Sequence, residues 1–397
     1  MSRRRRSARL LVCLQLTPPT PPHPLPPPSI NTNPLLYDLM LSNAWRDGGS
    51  AAVAADEVRA FALARYGGEA ATAAGGAALQ AWATLLTTVY AAPAGFDESY
   101  SGCPQQQEQP QQPPPPQQQS QQQQKLGAPG WWNPHWWGNP KALFETRPSL
   151  YGATNCGFMP SALWYEEQEL WPAWAALNAA AVASAALRAV PPFRADVVDV
   201  ARQGLSNAFI RAQAELAADF RAANRTALAS SAAAALEIIH DADRLLASDG
   251  HFLLGSWVAD ARSWAGSGDG GGSEQLGALL EYNARNLVTL WGAGRSHGID
   301  DGPGNICDYA SKQWAGLVRS YYLPRWQLFV QALDATLAAG DDPSSWDQQA
   351  FAQKQLLPFE LGWQQQTGWG NGTAFATEAA GDAFSISKEL YAKYAKL

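Results

Sequence analysis

Few side chains in this sequence combine the type and the spacing to do chemistry. Glu166, Glu167 and Glu169 are the densest carboxylates. Hydrolysis by a carboxyl pair needs two groups held across the scissile bond, about 5–5.5 Å apart when configuration is retained. Three glutamates in the first turn of one helix suit its dipole instead, and they are read as structural. His240, Asp241, Asp243 and His251 are metal-ligand types. On a helix His240 and Asp243 are neighbours while Asp241 points elsewhere, so the pattern reads as a polar helix face and a turn, with no metal site. The glycine-rich GAGRSHG, Gly292 to Gly298, has the wrong final spacing for a dinucleotide fingerprint and follows a helix, not a strand. No Lys-Ser or Lys-Thr completes a P-loop, and five histidines offer no Ser/His/Asp or Cys/His constellation. No cofactor is expected.

What remains is the stretch from Glu281 to Trp326, which mixes aromatic and charged residues at helical spacing. Ala310, Trp314, Leu317, Val318 and Tyr321 fall at i, i+4, i+7, i+8 and i+11, one helical face. Asp308 stands where an N-cap would stand. Pro324 should push Leu323 out of the helical region and open a second helix at Arg325. The stretch therefore reads as helix, loop, helix, kink, helix.

The elements around it are helical too. At 397 residues the length allows two or three domains of ~100–200 residues, but much of the first third is of low complexity. Residues 1–32 combine four arginines, a short apolar run and a Pro-rich tract, and are expected to be a disordered or spurious segment. Helices are expected over 34–47, Asp56–Tyr66 and Ala77–Tyr90, followed by a Gln/Pro-rich insertion at about 101–140 with too few apolar side chains to fold. The tryptophan-rich GWWNPHWWGNP ends that insertion. From Ser161 the pattern predicts a helix interrupted at Pro172, a strong amphipathic helix from Phe193 to Phe220, another from Thr226 to Ser248, and a shorter one in HFLLGSWVADARSWA. Arg325–Ala339 and Thr373–Leu397 complete the set. No alternating strand pattern occurs, so the expected fold is all-α, an antiparallel multi-helix bundle with a disordered N-terminal tail and a low-complexity insertion.

Charge and composition exclude some partners. A net charge of −7 gives no basic face for nucleic acid, and no run reaches the ~18–20 apolar residues of a membrane span. Cys13, Cys103, Cys156 and Cys307 are widely spaced, which disfavours a zinc site and leaves one disulfide open. Asn224-Arg225-Thr226 and Asn371-Gly372-Thr373 are glycosylation sequons, making Asn224 and Asn371 candidate glycan carriers.

Seven segments together resemble a known family: NPLLYDLMLSNAWR, FALARYG, AWATLLTTVY, ETRPSLYG, FLLGSW, NARNLVTLWG and DYASKQWAGLVRSYYLPRW. They are similar to the C-terminal α-helical domain of the α-N-acetylglucosaminidases, glycoside hydrolase family 89, over residues 33–397 apart from the insertion and two loop expansions. The resemblance implies a retaining hydrolase that removes terminal α-linked N-acetylglucosamine and pairs this domain with a barrel. It also implies two catalytic glutamates on that barrel, the second a few residues before the segment resembling NPLLYDLM. Pro26, Pro27, Pro28 and Ser29 occupy that place here. The expectation is a chain without catalytic residues, inactive alone, from a truncated or mis-started gene model. Its partners would be a barrel domain, missing upstream or separately encoded, and the glycan once complete. The alternative is a stand-alone helical scaffold for protein interaction.

By the same resemblance Trp291 and Ile306 match positions that face bound sugar, although both would equally suit a core beneath the loop. Arg285, Asp308, Lys312, Arg319 and Arg325 are expected to form ion pairs joining helices, or joining the domain to its barrel. A complete family enzyme would be secretory, or lysosome- or vacuole-like in location.

Overall fold

Long apolar stripes and many alanines let helices approach closely, and the computed structural model shows an all-α bundle. The described residues are 55–68, 76–89, 142–150, 163, 165–266, 271–291, 307–308, 310–367 and 375–395. The tail, the helix expected over 34–47, the Gln/Pro-rich insertion and the tryptophan-rich run lie outside them. Among the described residues there is no strand, only one isolated parallel bridge between Leu253 and Ala315. No helix there is long and apolar enough to cross a membrane.

Ten principal helices organise these residues: α1 Ala55–Tyr66, α2 Ala77–Thr87, α3 Trp171–Ala183, α4 Pro191–Arg221, α5 Arg225–Leu246, α6 Leu254–Ser263, α7 Gly271–Leu287, α8 Leu323–Ala339, α9 Leu357–Gln365 and α10 Ala383–Tyr394. The 31-residue α4 is central, burying Phe193, Val197, Ala201, Leu205, Phe209, Leu216 and Phe220. A short turn returns the chain into α5, whose apolar stripe Leu228, Ala232, Ala235, Ile239, Ala242 and Leu246 packs back on α4. Asn224 caps α5, its Oδ1 accepting the Ala227 N–H at 3.1 Å. α1 and α2 are tied to α4 by polar contacts. The Arg65 guanidinium and the Tyr66 hydroxyl donate to Asp196 at 2.6–2.7 Å, and Trp82 Nε1 donates to the Tyr66 oxygen at 2.7 Å. Burial lifts the Asp196 carboxyl above its ordinary range despite the Arg65 charge beside it.

Several local expectations need correction. Pro172 begins α3 at its first turn, where a missing N–H costs nothing, and Glu166–Glu169 form a 3₁₀ turn with a capping box before it. Residues 311–314 are not helical: Ser311 is left-handed at φ 48°, and the bridge at Ala315 and Gly316 at φ 89° follow, so the helical face read through Ala310 and Trp314 does not exist. Asp308, at φ 57°, is no N-cap. Leu323 stays right-handed helical, at φ −56° and ψ −49°.

Pro324 is accommodated by a π-turn, Val318–Tyr322, in which the Leu323 N–H reaches back to the Val318 carbonyl. Widening the turn relieves the clash between the proline ring and the carbonyl four residues earlier. The same device recurs at Pro358, after the π-turn Ala352–Leu356. The segment Gln348–Gln365, unassigned in the sequence reading, is almost continuous helix built this way. α10, in turn, starts at Ala383 rather than Thr373, the nearer described residues 375–382 being non-helical.

Segment 375–376 crosses the first turn of α6 so closely that only glycine fits at 255. A Cβ there would lie 2.1 Å from the Ala376 carbonyl oxygen and 2.6 Å from that of Phe375. Gly255→Ala is therefore expected to lower stability by ~1–3 kcal/mol or more, because backbone must move. Urea unfolding checks this; an unchanged midpoint would show that the crossing is not held closely.

Candidate functional site

The charged residues of the Glu281–Trp326 stretch are held by two segments remote in sequence, 142–150 and α9. Arg325 stands at the start of α8, fully buried. Its Nη1 donates to Asp308 Oδ1 at 3.0 Å and to Glu360 Oε1 at 3.0 Å, while Nη2 donates to the Glu145 carbonyl at 2.7 Å. Its guanidinium lies over the Tyr321 ring, 4.7 Å from the centroid. Arg147 completes the group, its Nε and Nη2 donating to Glu360 at 2.5–3.1 Å. Glu145 accepts Ser311 Oγ at 2.8 Å and Gln313 Nε2 at 2.6 Å. Trp326 Nε1 donates to the Phe144 carbonyl at 3.0 Å.

Burial sets the electrostatics. It would lower the Arg325 pKa, but the adjacent Asp308, Tyr321 and Glu360 outweigh it and hold the guanidinium above its usual range. Burial pushes the Asp308 carboxyl up, against the pull of Arg325. For Arg147, the Glu360 charge likewise outweighs the loss of water.

A second frame fixes the end of α7. Arg285 donates through Nε to Glu281 Oε1 at 2.9 Å and through Nη1 to the Trp363 carbonyl at 3.1 Å, with its plane against Trp363 and Phe375. Burial draws the Arg285 pKa down despite Glu281. Beyond α7 the chain turns sharply. The Trp291 N–H donates to the Asn286 carbonyl at 2.7 Å, and the Asp308 N–H donates to the Thr289 carbonyl at 2.6 Å. Gln364 Nε2 supports Thr289 Oγ1 at 3.1 Å from α9. Residues 289 and 308 are thus pinned together at the base of the intervening loop. Leu290 and Cys307, which is disulfide-bonded, bury against Leu357 and Leu361.

Trp291, Asp308 and Ser311 have φ of 51°, 57° and 48°, three of the four non-glycine left-handed residues among those described. Such positions cost ~1–3 kcal/mol each and persist only where surroundings over-determine them. Trp291 is nonetheless 36% exposed, so its indole is not part of the core.

The structure thus joins Asp308 and Arg325 directly and places Arg285 in its own pair with Glu281. Arg319 is exposed; it meets Asp243 through its backbone N–H at 3.1 Å, with its charge acting on that carboxylate from a distance. Lys312 makes no ion pair among the described residues. It lies 5.5 Å from the Trp314 ring centroid, and burial lowers its pKa against the field of Glu145. Ile306 and Asn371 fall outside the described residues, whereas Asn224 is exposed. Among the described residues no group of three or more His, Cys, Asp or Glu could hold a metal ion.

Sequence reasoning missed Glu145, Arg147 and above all Glu360. Glu360 was findable: a single carboxylate among Leu356, Leu357, Phe359, Leu361 and Trp363 must bury against a cation.

The bundle, with residues 289 and 308 bonded to each other beside the buried charges, defines a helical domain. A family model described as the alpha-N-acetylglucosaminidase (NAGLU) C-terminal domain matches residues 58–393, and the chain belongs to that family. It is 29% identical to human alpha-N-acetylglucosaminidase over 379 residues, 93% of this chain but 39% of the human protein. Its fold is similar to that of a family 89 glycoside hydrolase from Clostridium perfringens. In complex with PUGNAc that structure gives a TM-score of 0.66 at 22% identity, covering 92% of this chain and 34% of the other. In complex with 2-acetamido-1,2-dideoxynojirmycin it gives 0.67 at 21% identity, with the same coverage. The chain therefore spans between one-third and two-fifths of the length of these relatives.

Proposed function

We propose that this chain supplies the helical, sugar-facing side of an enzyme that removes terminal α-linked N-acetylglucosamine, while a barrel domain opposite it carries the catalytic carboxyls. The observation that carries this reading is Trp291: an exposed indole on a left-handed residue whose backbone N–H donates to the Asn286 carbonyl at 2.7 Å, close to the Thr289–Asp308 contact. An indole face packs well on the C–H face of a pyranose, and tryptophan has only two side-chain torsions to order on binding. Ile306, at the far end of the same loop, shares the sugar face in this reading. The Arg325–Asp308–Glu360–Arg147 frame does no chemistry; it sets where the loop base stands. The working location is a secretory, lysosome- or vacuole-like compartment, which the disulfide at Cys307 supports.

Purified alone, the chain is expected to cleave a chromogenic α-N-acetylglucosaminide no faster than buffer. Combined with a family barrel domain, it should co-purify and restore turnover, and Trp291→Ala should then raise KM. Cleavage by the chain alone would sink the reading, as would a restored enzyme indifferent to Trp291.

A further inference from the structure

We infer that Asn224 carries an N-linked glycan, a modification that does not rest on the sugar-facing reading of Trp291. Asn224-Arg225-Thr226 is a sequon, and in the fold every residue from Arg221 to Thr226 is exposed. The segment is the turn between α4 and α5, the two longest helices, so a bulky substituent there meets no packed surface. Arg225 is drawn aside by its ion pair with Asp334, Nε to Oδ1 2.6 Å, and leaves the asparagine uncovered. None of the exposed large apolar side chains (Val182, Trp257, Trp264, Leu276, Leu279, Leu287 and Trp291) lies in this turn.

The side-chain amide is divided between two jobs that do not conflict. Oδ1 accepts the Ala227 N–H at 3.1 Å and caps α5, while Nδ2 makes no hydrogen bond among the described residues. Glycan transfer uses only Nδ2. That nitrogen bonds to C1 of the first sugar of a lipid-linked oligosaccharide pyrophosphate, the C1–O bond to the pyrophosphate breaks, and one Nδ2 proton is lost. Oδ1 stays an acceptor, so the modified residue still caps the helix.

The second, independent observation is the disulfide at Cys307, which is 1% exposed. A buried disulfide is laid down in an oxidising compartment, and in eukaryotes that is the compartment in which sequons are used.

The test is to secrete the full-length chain from a eukaryotic host behind a cleavable leader. The peptide spanning Asn224 is then analysed before and after an N-glycosidase in heavy-oxygen water. The expected result is conversion of Asn224 to labelled aspartate and a gel shift that the enzyme removes. Thr226→Ala should abolish the label at Asn224 and remove one glycan's worth of the shift while leaving the melting temperature unchanged, because it spares the cap. Asn224→Asp should reduce the shift by the same step and keep an acceptor for Ala227. Recovery of Asn224 wholly unmodified overturns the inference, whether or not Asn371 is occupied.

Discussion

Arg325→Met is expected to destabilise the domain by ~3–5 kcal/mol, the range for removing one partner of a buried ion pair. The arginine is the only cation in direct contact with Asp308 among the described residues, and it shares Glu360 with Arg147. Methionine fills much of the volume, so the loss comes from stranding Asp308 rather than from a void. The sign with pH follows. The folded pKa of Asp308 is raised by burial even with Arg325 present, and the substitution raises it further. Protonation-linked stability is complete below the unfolded value of about 3.9 and is lost as pH rises through the folded one. The deficit should therefore shrink on acidification and be full near neutrality. Asp308→Asn in the same background should recover part of it. Denaturant titrations at several pH values measure all three; a deficit that is flat with pH would show that packing, not stranded charge, is responsible.

Trp174→Ala should cost a similar ~3–5 kcal/mol. The indole is fully buried, and Nε1 donates to Ser387 Oγ at 2.8 Å, which in turn donates to Asn178 Oδ1 at 2.7 Å. It packs edge-on to Tyr391 and closely against Gly204, so it joins α3, α4 and α10. Gly204 is the counterpart: a Cβ there would come within 2.4 Å of the Trp174 ring. Gly204→Ala alone should lose ~1–3 kcal/mol to overpacking. In the Trp174→Ala background that clash is gone, and alanine favours the helix over glycine by roughly 0.5–1 kcal/mol. The second substitution should then be neutral or stabilising. A double-mutant cycle decides this; additive losses would mean that the two residues do not meet in solution.

Residues 191–263 were legible in the sequence because their apolar positions keep a steady helical period, and α4, α5 and α6 lie within a few residues of where that period puts them. The stretch after Ala339 was not, for a physical reason. Across the π-turn Ala352–Leu356 the buried positions Phe351, Leu356 and Glu360 step by five and four, which breaks the stripe that periodicity seeks. The reading of Ala310 and Trp314 failed in the opposite way: a helical spacing occurred by chance in backbone that Gly316 interrupts. Gly316 was the available signal, since its left-handed φ of 89° suits no other residue well. The ion-pair stretch could be located, but its carboxylate at Glu360 lay in the segment the broken period hid.

The two π-turns have a shared consequence. Each adds one residue to a turn just ahead of a Leu-Pro pair, and each is followed at once by a member of the charge frame, Arg325 after one and Glu360 after the other. One residue corresponds to about 100° of rotation on a helix of 3.6 residues per turn. The widened turns therefore act as phase-setters: they time α8 and α9 so that a guanidinium and a carboxylate arrive facing each other. A single-residue deletion in either turn would leave both helices intact and aim one charge away from its partner. Such an error of timing could be cancelled only by a compensating shift elsewhere, so the two insertions should be gained or lost together across relatives.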